Sequence, residues 1–153
     1  MRFEVSIRIA RPATEVFAFL GDFTHLPLWN YYLIETRSEE PGPARVGMRY
    51  TQRRKTDSQR FEIVEWEEGR LVTIQLMPPT RPVRICFALQ PDGAGTLLTD
   101  RWTLRTPLPV PGFIARMITR PIQAAVTENL GRLAELLEQG RAQLQDGRTV
   151  VWP

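Results

Sequence analysis

The strongest constraint in this chain is one apolar repeat near its C-terminal end, from about Phe113 to Gln139. At 100° per residue, Ile114, Ile118, Ile122, Ala125, Val126, Leu130, Leu133, Leu136 and Leu137 fall on one side of a helix. Arg116, Arg120, Glu128, Glu135 and Glu138 fall on or near the other. A stripe this wide belongs to a helix packed on a large apolar surface. From Ile118 to Leu136 it runs roughly 27 Å at 1.5 Å per residue, enough to cross a small domain. Pro121 lies inside the run and predicts a kinked or separately started turn before it, and Gly140 suits a C-terminal cap. Asn129 lies near the middle of the stripe. It is either a core amide bonded to a loop carbonyl or buried water, or an amide facing a solvated or ligand-filled cavity.

The residues ahead of that helix alternate with period two. In Arg2 to Ile9, Phe3, Val5, Ile7 and Ile9 point one way and Arg2, Glu4, Ser6 and Arg8 the other, which reads as a half-buried strand. Pro12 suits the first turn of a helix with Val16, Phe17 and Leu20 on its apolar face and Gly21 as its stop. Thr24 can cap a second short helical turn through Leu28 and Trp29. Strand-like runs follow at about 31–37, 45–54, 60–67, 70–77, 82–90 and 96–105, joined by turn-forming sequences such as Glu68-Gly69 and Pro91-Asp92-Gly93-Ala94-Gly95. The order is strand, two short helices, six strands, one long helix. This predicts an α+β architecture: a curved antiparallel seven-stranded sheet wrapped around the long C-terminal helix, the only element able to cover its apolar face. A twisted sheet cannot touch a straight helix everywhere, so a cavity between them is expected.

At 153 residues the chain has the size of one domain, read as residues 1–140 followed by a polar tail, 141–153. Trp152 in that tail could dock on the domain or on a second subunit, which keeps a homodimer open. No run of apolar residues is long enough for a transmembrane helix. Met-Arg-Phe-Glu-Val lacks the pattern of a secretion signal, so a cytoplasmic location is expected. Cys86 and His25 are the only residues of their kinds; they exclude an intrachain disulfide and are too few for a Cys/His zinc site. Neither a GxGxxG nor a GxxxxGK[ST] pattern occurs, and no metal or other cofactor is expected. The formal charge is +3, with Lys55 the sole lysine. The arginines are spread along the chain, as on a solvated surface, and no nucleic-acid partner is expected.

The opening resembles the SRPBCC superfamily, which includes START lipid-transfer domains, the birch pollen allergen and polyketide cyclase-like proteins. The matching features are the first alternating strand, then Ala10-Arg11-Pro12-Ala13-Thr14-Glu15-Val16-Phe17-Ala18-Phe19-Leu20, Asp22, and Trp29 after Leu26-Pro27. Asp92-Gly93-Ala94-Gly95-Thr96 looks like the family's turn before its last strand, and Asn129-Leu130-Gly131-Arg132-Leu133 resembles its closing helix. The resemblance covers about residues 2–139. It implies the helix-grip fold with a hydrophobic cavity for lipids, sterols, polyketides or similar molecules; the family shares a pocket rather than a catalytic motif.

Strand phase supplies candidate lining residues. Val46, Met48, Tyr50 and Gln52 share one face of their strand, Val83, Ile85, Phe87 and Leu89 another, and Leu98, Asp100, Trp102 and Leu104 a third. For 60–67 the phase is ambiguous: Val64 and Trp66 compete with Phe61 and Ile63. The expected ligand-binding set is Trp29, Tyr31, Met48, Tyr50, Trp66, Phe87, Asp100, Trp102, Ile122 and Asn129, with the aromatic members giving flat contacts with a polar handle. Asp100 is the catalytic candidate, because a carboxyl on an apolar face has its pKa raised unless it is paired. The alternatives are a salt bridge with an inward-reaching arginine or a bulge that turns it to water. The leading expectation is a module that binds, and so can transport, a small hydrophobic ligand. Two others stay open: a polyketide cyclase or dehydratase in which Asp100, Tyr50 and Asn129 act as acid–base and polarising groups, and a protein-interaction or co-chaperone module using the basic outer face or Trp152. Strand phase offers no unambiguous inward arginine or histidine to complete an enzyme site.

Overall fold

The computed structural model describes all 153 residues. The elements run β1 (Arg2–Ile9), α1 (Ala13–Leu20), a 3₁₀ helix (Phe23–Leu28), β2 (Leu33–Ser38), β3 (Arg49–Arg54), β4 (Ser58–Glu67), β5 (Leu71–Leu76), β6 (Val83–Asp92), β7 (Gly95–Leu104), α2 (Gly112–Gln139), β8 (Arg141–Gln143) and β9 (Thr149–Val151). The first seven strands form one sheet in the order β1-β7-β6-β5-β4-β3-β2. Every neighbouring pair is antiparallel. Thus β2 to β7 form the expected meander, and β1 closes beside β7. The fold is the α+β helix-grip arrangement, with α2 as the cover.

Alternation sorts the sheet into two faces. The outer face carries cross-strand ion pairs between register partners: Glu4 with Arg101 at 3.0 Å and Arg49 with Glu62 at 3.5 Å. The inner face carries the core, including Phe61, Ile63, Val72, Phe87 and Leu98. In β4 the phase conflict is resolved by a bulge between Ile63 and Glu65. The extra residue lets Phe61, Ile63 and then Trp66 face inward in turn.

Four details differ from the sequence-based expectations. The strand read at 45–54 begins only at Arg49; residues before it form a turn in which Gly47 has φ +90°, and Val46 is 58% exposed rather than inward. The cap of the 3₁₀ helix is Asp22, whose carboxylate accepts from the backbone N–H and hydroxyl of Thr24. Helix α2 continues through Pro121 as one element. Pro121 and Met117 are exposed, so the Met117 carbonyl that loses its donor faces water. Its stripe is buried only from Thr119 onward, and Ile114 and Ile118 are 36% and 42% exposed.

The segment after Gly140 is a hairpin rather than the expected polar tail. Gly140 caps α2 at φ +74° and turns the chain, and β8 pairs with β9. Ala142, Leu144 and Val150 join the core. The Trp152 ring lies 4.9 Å from Phe19 and 4.6 Å from His25, so it docks on its own chain. His25 is held by the Phe19 carbonyl at 2.8 Å and by Asp22, a supporting role.

Candidate functional site

Between the inner face of the sheet and α2 lies a cavity of about 510 Å³, within the size range of small-molecule sites. Its floor is built by alternation on neighbouring strands: Ile85 and Phe87 of β6, and Asp100, Trp102 and Leu104 of β7. Its roof is the flank of α2, with Pro121, Ile122, Ala125, Val126 and Asn129 recurring at helical spacing. Trp29, at the end of the 3₁₀ helix, forms one wall, its ring edge-on to Phe87 at 6.4 Å between centroids. Gln52, Arg54 and Gln59 from β3 and β4 also line the cavity. The exposed side chains of Tyr32 and Arg81 mark its mouth.

Most of this lining is apolar, so its polar groups decide what the cavity can hold. Asp100 is 3% exposed and sits between Val5 of β1 and Phe87 of β6 in the sheet register. No cation pairs with it. Burial pushes its carboxyl up to about 7, and the nearby Trp102 indole N–H opposes the rise. The two groups nevertheless form no hydrogen bond of ordinary geometry. Asp100 Oδ1 and Trp102 Nε1 are both buried without a partner. Unmet buried polar groups cost on the order of 1–3 kcal/mol each, so this unpartnered donor and acceptor, on two residues that line the cavity, favour a ligand polar group or water that reaches them.

The other polar groups are partly engaged. Asn129 Oδ1 accepts from Gln145 Nε2 at 3.1 Å, so Asn129 both lines the cavity and ties α2 to the C-terminal hairpin. Gln52 donates to Gln59 at 2.8 Å. Arg54 forks onto Asp57 with two bonds of 2.6 Å, whereas Arg81 has no carboxylate partner. No group of three or more His, Cys, Asp or Glu side chains is arranged to hold a metal ion.

Residues 1–138 match the family described as polyketide cyclase / dehydrase and lipid transport. The chain belongs to that family. No curated protein matches its sequence. Among solved structures, protein MLL2253 from Mesorhizobium loti is similar at 15% identity and TM-score 0.72, over 91% of this chain and 98% of that one. A START superfamily protein from Mycobacterium smegmatis aligns at 19% identity and TM-score 0.67, over 88% and 98%. The di-domain ARO/CYC StfQ from the steffimycin biosynthetic pathway aligns at 17% identity and TM-score 0.70, over 90% of this chain and 50% of that one. At these identities the likeness is one of fold.

Six of the expected site residues in this family member line the one cavity: Trp29, Phe87, Asp100, Trp102, Ile122 and Asn129. Met48, Tyr50 and Trp66 do not; they border a second cleft of about 400 Å³ beside α1. The reason is Phe23 of the 3₁₀ helix, which is fully buried in the space between the two. Its ring packs on Tyr50 and Phe61 at 5.6 and 5.5 Å and approaches Phe87 at 6.4 Å. Tyr50 instead donates to Met48 Sδ at 3.1 Å, and burial pushes its hydroxyl up to about 12. Tyr31 is also outside. Residues before Leu33 form a turn, so strand alternation does not apply there; Tyr31 packs on Tyr32 and under Lys55, and Tyr32 borders the cavity.

The expected set omits Arg54 and Arg81. Arg54 follows Gln52 by two residues at the end of β3, so the alternation that turns Gln52 inward carries it too, whereas Arg81 comes from a turn that phase does not reach. Gln52 carried the available signal, a polar residue in phase with an apolar face. The basic outer face is not a free cationic surface either. Twelve of the nineteen arginines are ion-paired, on that face, in turns, on the helices or in the C-terminal hairpin.

Proposed function

We propose that the protein binds a small, mainly hydrophobic molecule with one buried polar group, of the lipid or polyketide kind, in the cavity between sheet and α2. The observation that carries this reading is the unpartnered pair Asp100 Oδ1 and Trp102 Nε1, on two residues that line a mainly apolar cavity. A hydroxyl or enol can accept from the indole N–H and donate to the carboxylate, or accept from the carboxyl when Asp100 is protonated. Trp29, Phe87 and Ile122 supply apolar contact, and Asn129 a second polar one. Family membership supports the same class of ligand.

Native mass spectrometry of freshly purified protein tests this. A mass excess that disappears on denaturation, and that is absent from Ala125→Phe, is the expected result. Equal excess in both proteins would place the ligand elsewhere.

A second reading is favoured by one observation: a carboxyl near 7 beside a cavity is poised to give or take a proton at neutral pH. Asp100 would then be the acid–base group of a cyclase or dehydratase, the activity class that the ARO/CYC description of StfQ also suggests. Tyr50, sealed off by Phe23, has no part in it. Turnover of a polyketide-like substrate that survives Asp100→Asn would remove this reading.

A further inference from the structure

The start of α2 is exposed in a way that a cover helix does not require. Phe113 and Met117 are 69% and 72% exposed, and Leu108, just before the helix, is 72% exposed. At 100° per residue Phe113 and Met117 stand opposite the buried stripe, and with Ile114 and Ile118 they form two i, i+4 rows. Those rows run Phe113–Met117–Pro121 and Ile114–Ile118–Ile122, and each ends on a residue that lines the cavity. The exposed apolar surface is therefore continuous with the ligand site. Contiguous patches of this kind mark interaction surfaces.

The segments that carry it are charged with nearly one sign, and Glu4 of β1, whose backbone carbonyl accepts from Gln123 of α2, is paired with Arg101. Between Gly69 and Thr127 the only acidic residues are Asp92 and Asp100. Asp92 is paired with Arg8 and Asp100 is buried. Four of the seven arginines without a carboxylate partner, Arg81, Arg105, Arg116 and Arg120, lie on this side. Arg81 borders the cavity, and Arg105 donates its backbone N–H to the Pro82 carbonyl beside it. Arg116 and Arg120 flank Phe113 and Met117 on the helix. A second copy of this chain would bring like charges together across this face. An aqueous acidic protein would leave Phe113 and Met117 without their own complement.

We infer that the α2 start, with the loop before it and Arg81, is a docking surface for an anionic lipid bilayer, with the apolar side chains entering the interface and the arginines meeting headgroup phosphates. Amphipathic helices with this division lie in the membrane plane. Docked there, the cavity mouth would face the bilayer. The inference goes beyond ligand binding and does not depend on the cavity being filled.

The test is cosedimentation of the ligand-free protein with vesicles of phosphatidylcholine alone and of phosphatidylcholine with phosphatidylglycerol. Binding to the anionic vesicles, weak binding to the neutral ones, and loss as salt screens the charges are expected. Arg116→Ala and Arg120→Ala should each weaken partitioning about fivefold. Phe113→Ser with Met117→Ser should abolish it. All four positions are exposed, so the fold is not at risk. No binding to either vesicle, or variants that bind like the parent, would overturn the inference. So would a parent dimer that Phe113→Ser with Met117→Ser makes monomeric, because the face would then belong to a second copy. The readout is partition alone, so failure here leaves the mass-spectrometric test of the cavity standing, and the reverse.

Discussion

Replacing Asp100 by asparagine separates the cost of a buried charge from the cost of a buried polar group. In the folded chain the carboxyl titrates at about 7, against 3.8 for its ordinary value. The folded state holds the proton more tightly than the unfolded one. The stabilisation from protonated Asp100 is therefore complete below pH 3.8 and is lost as pH rises through 7. A difference of about three units at ~1.36 kcal/mol each makes this loss about 4 kcal/mol at pH 8.5. Asparagine does not titrate, so the variant escapes the loss. Whatever its amide gains or forfeits in hydrogen bonding is the same at every pH and cancels in the comparison. Urea unfolding of both proteins at pH 4 and pH 8.5 should show the variant's advantage growing by about 4 kcal/mol between them. In thermal unfolding the variant's Tm advantage should grow by roughly 10 °C between the two pH values. An advantage that is equal at both pH values would refute the reasoning. It would mean that Asp100 is solvated or charge-paired in solution.

Other consequences follow from the packing. Phe87→Ala, which enlarges the cavity and removes the partner of Trp29, should destabilise by about 3 kcal/mol and lower affinity for an apolar ligand, read by denaturation and by titration. Gly140→Ala should lose about 1 kcal/mol or more in the same unfolding assay, because the position has φ +74° and a Cβ would meet the Trp152 carbonyl oxygen at 3.1 Å. Trp152→Ala should free the C-terminal hairpin and speed its cleavage in limited proteolysis, leaving residues 1–140 protected for longer. The Arg60 fork holds the Glu39 carboxyl down at about 2, so this surface pair contributes above pH 4.5 and is lost as pH falls toward 2. As a solvent-screened ion pair it contributes little, measured as the narrowing gap between parent and Glu39→Gln on acidification.

Legibility in the sequence followed regularity. Period-two alternation placed Phe87, Asp100 and Trp102 on one face, and the 3.6 period placed Ile122 and Asn129 opposite them. Both periodicities are local consequences of backbone geometry. What the sequence hid was non-local. Nothing in the order of residues says that Phe23 fills the sheet's centre and divides its inner surface, which is why Tyr50 and Trp66 were expected beside Trp102. Nor does it show that a three-residue strand such as β8 finds a partner, because Ala142 and Leu144 are too few to establish a period. Turn residues were the other gap. Tyr31 and Arg81 point where their turns aim them, and no alternation rule reaches them.

The account rests on the cavity beneath α2 as the ligand site, and the four tryptophans report on it directly. Trp29 and Trp102 line it, Trp66 lines the cleft beyond Phe23, and Trp152 docks on Phe19. The decisive measurement is a titration with 2-naphthol followed through the four indole N–H signals in a nitrogen–proton correlation spectrum. The account predicts that the Trp102 and Trp29 signals move, Trp102 most because its N–H gains a hydrogen-bond partner, while Trp66 and Trp152 stay in place. Movement of Trp66 alone, or of none of the four at saturating phenol, would contradict it.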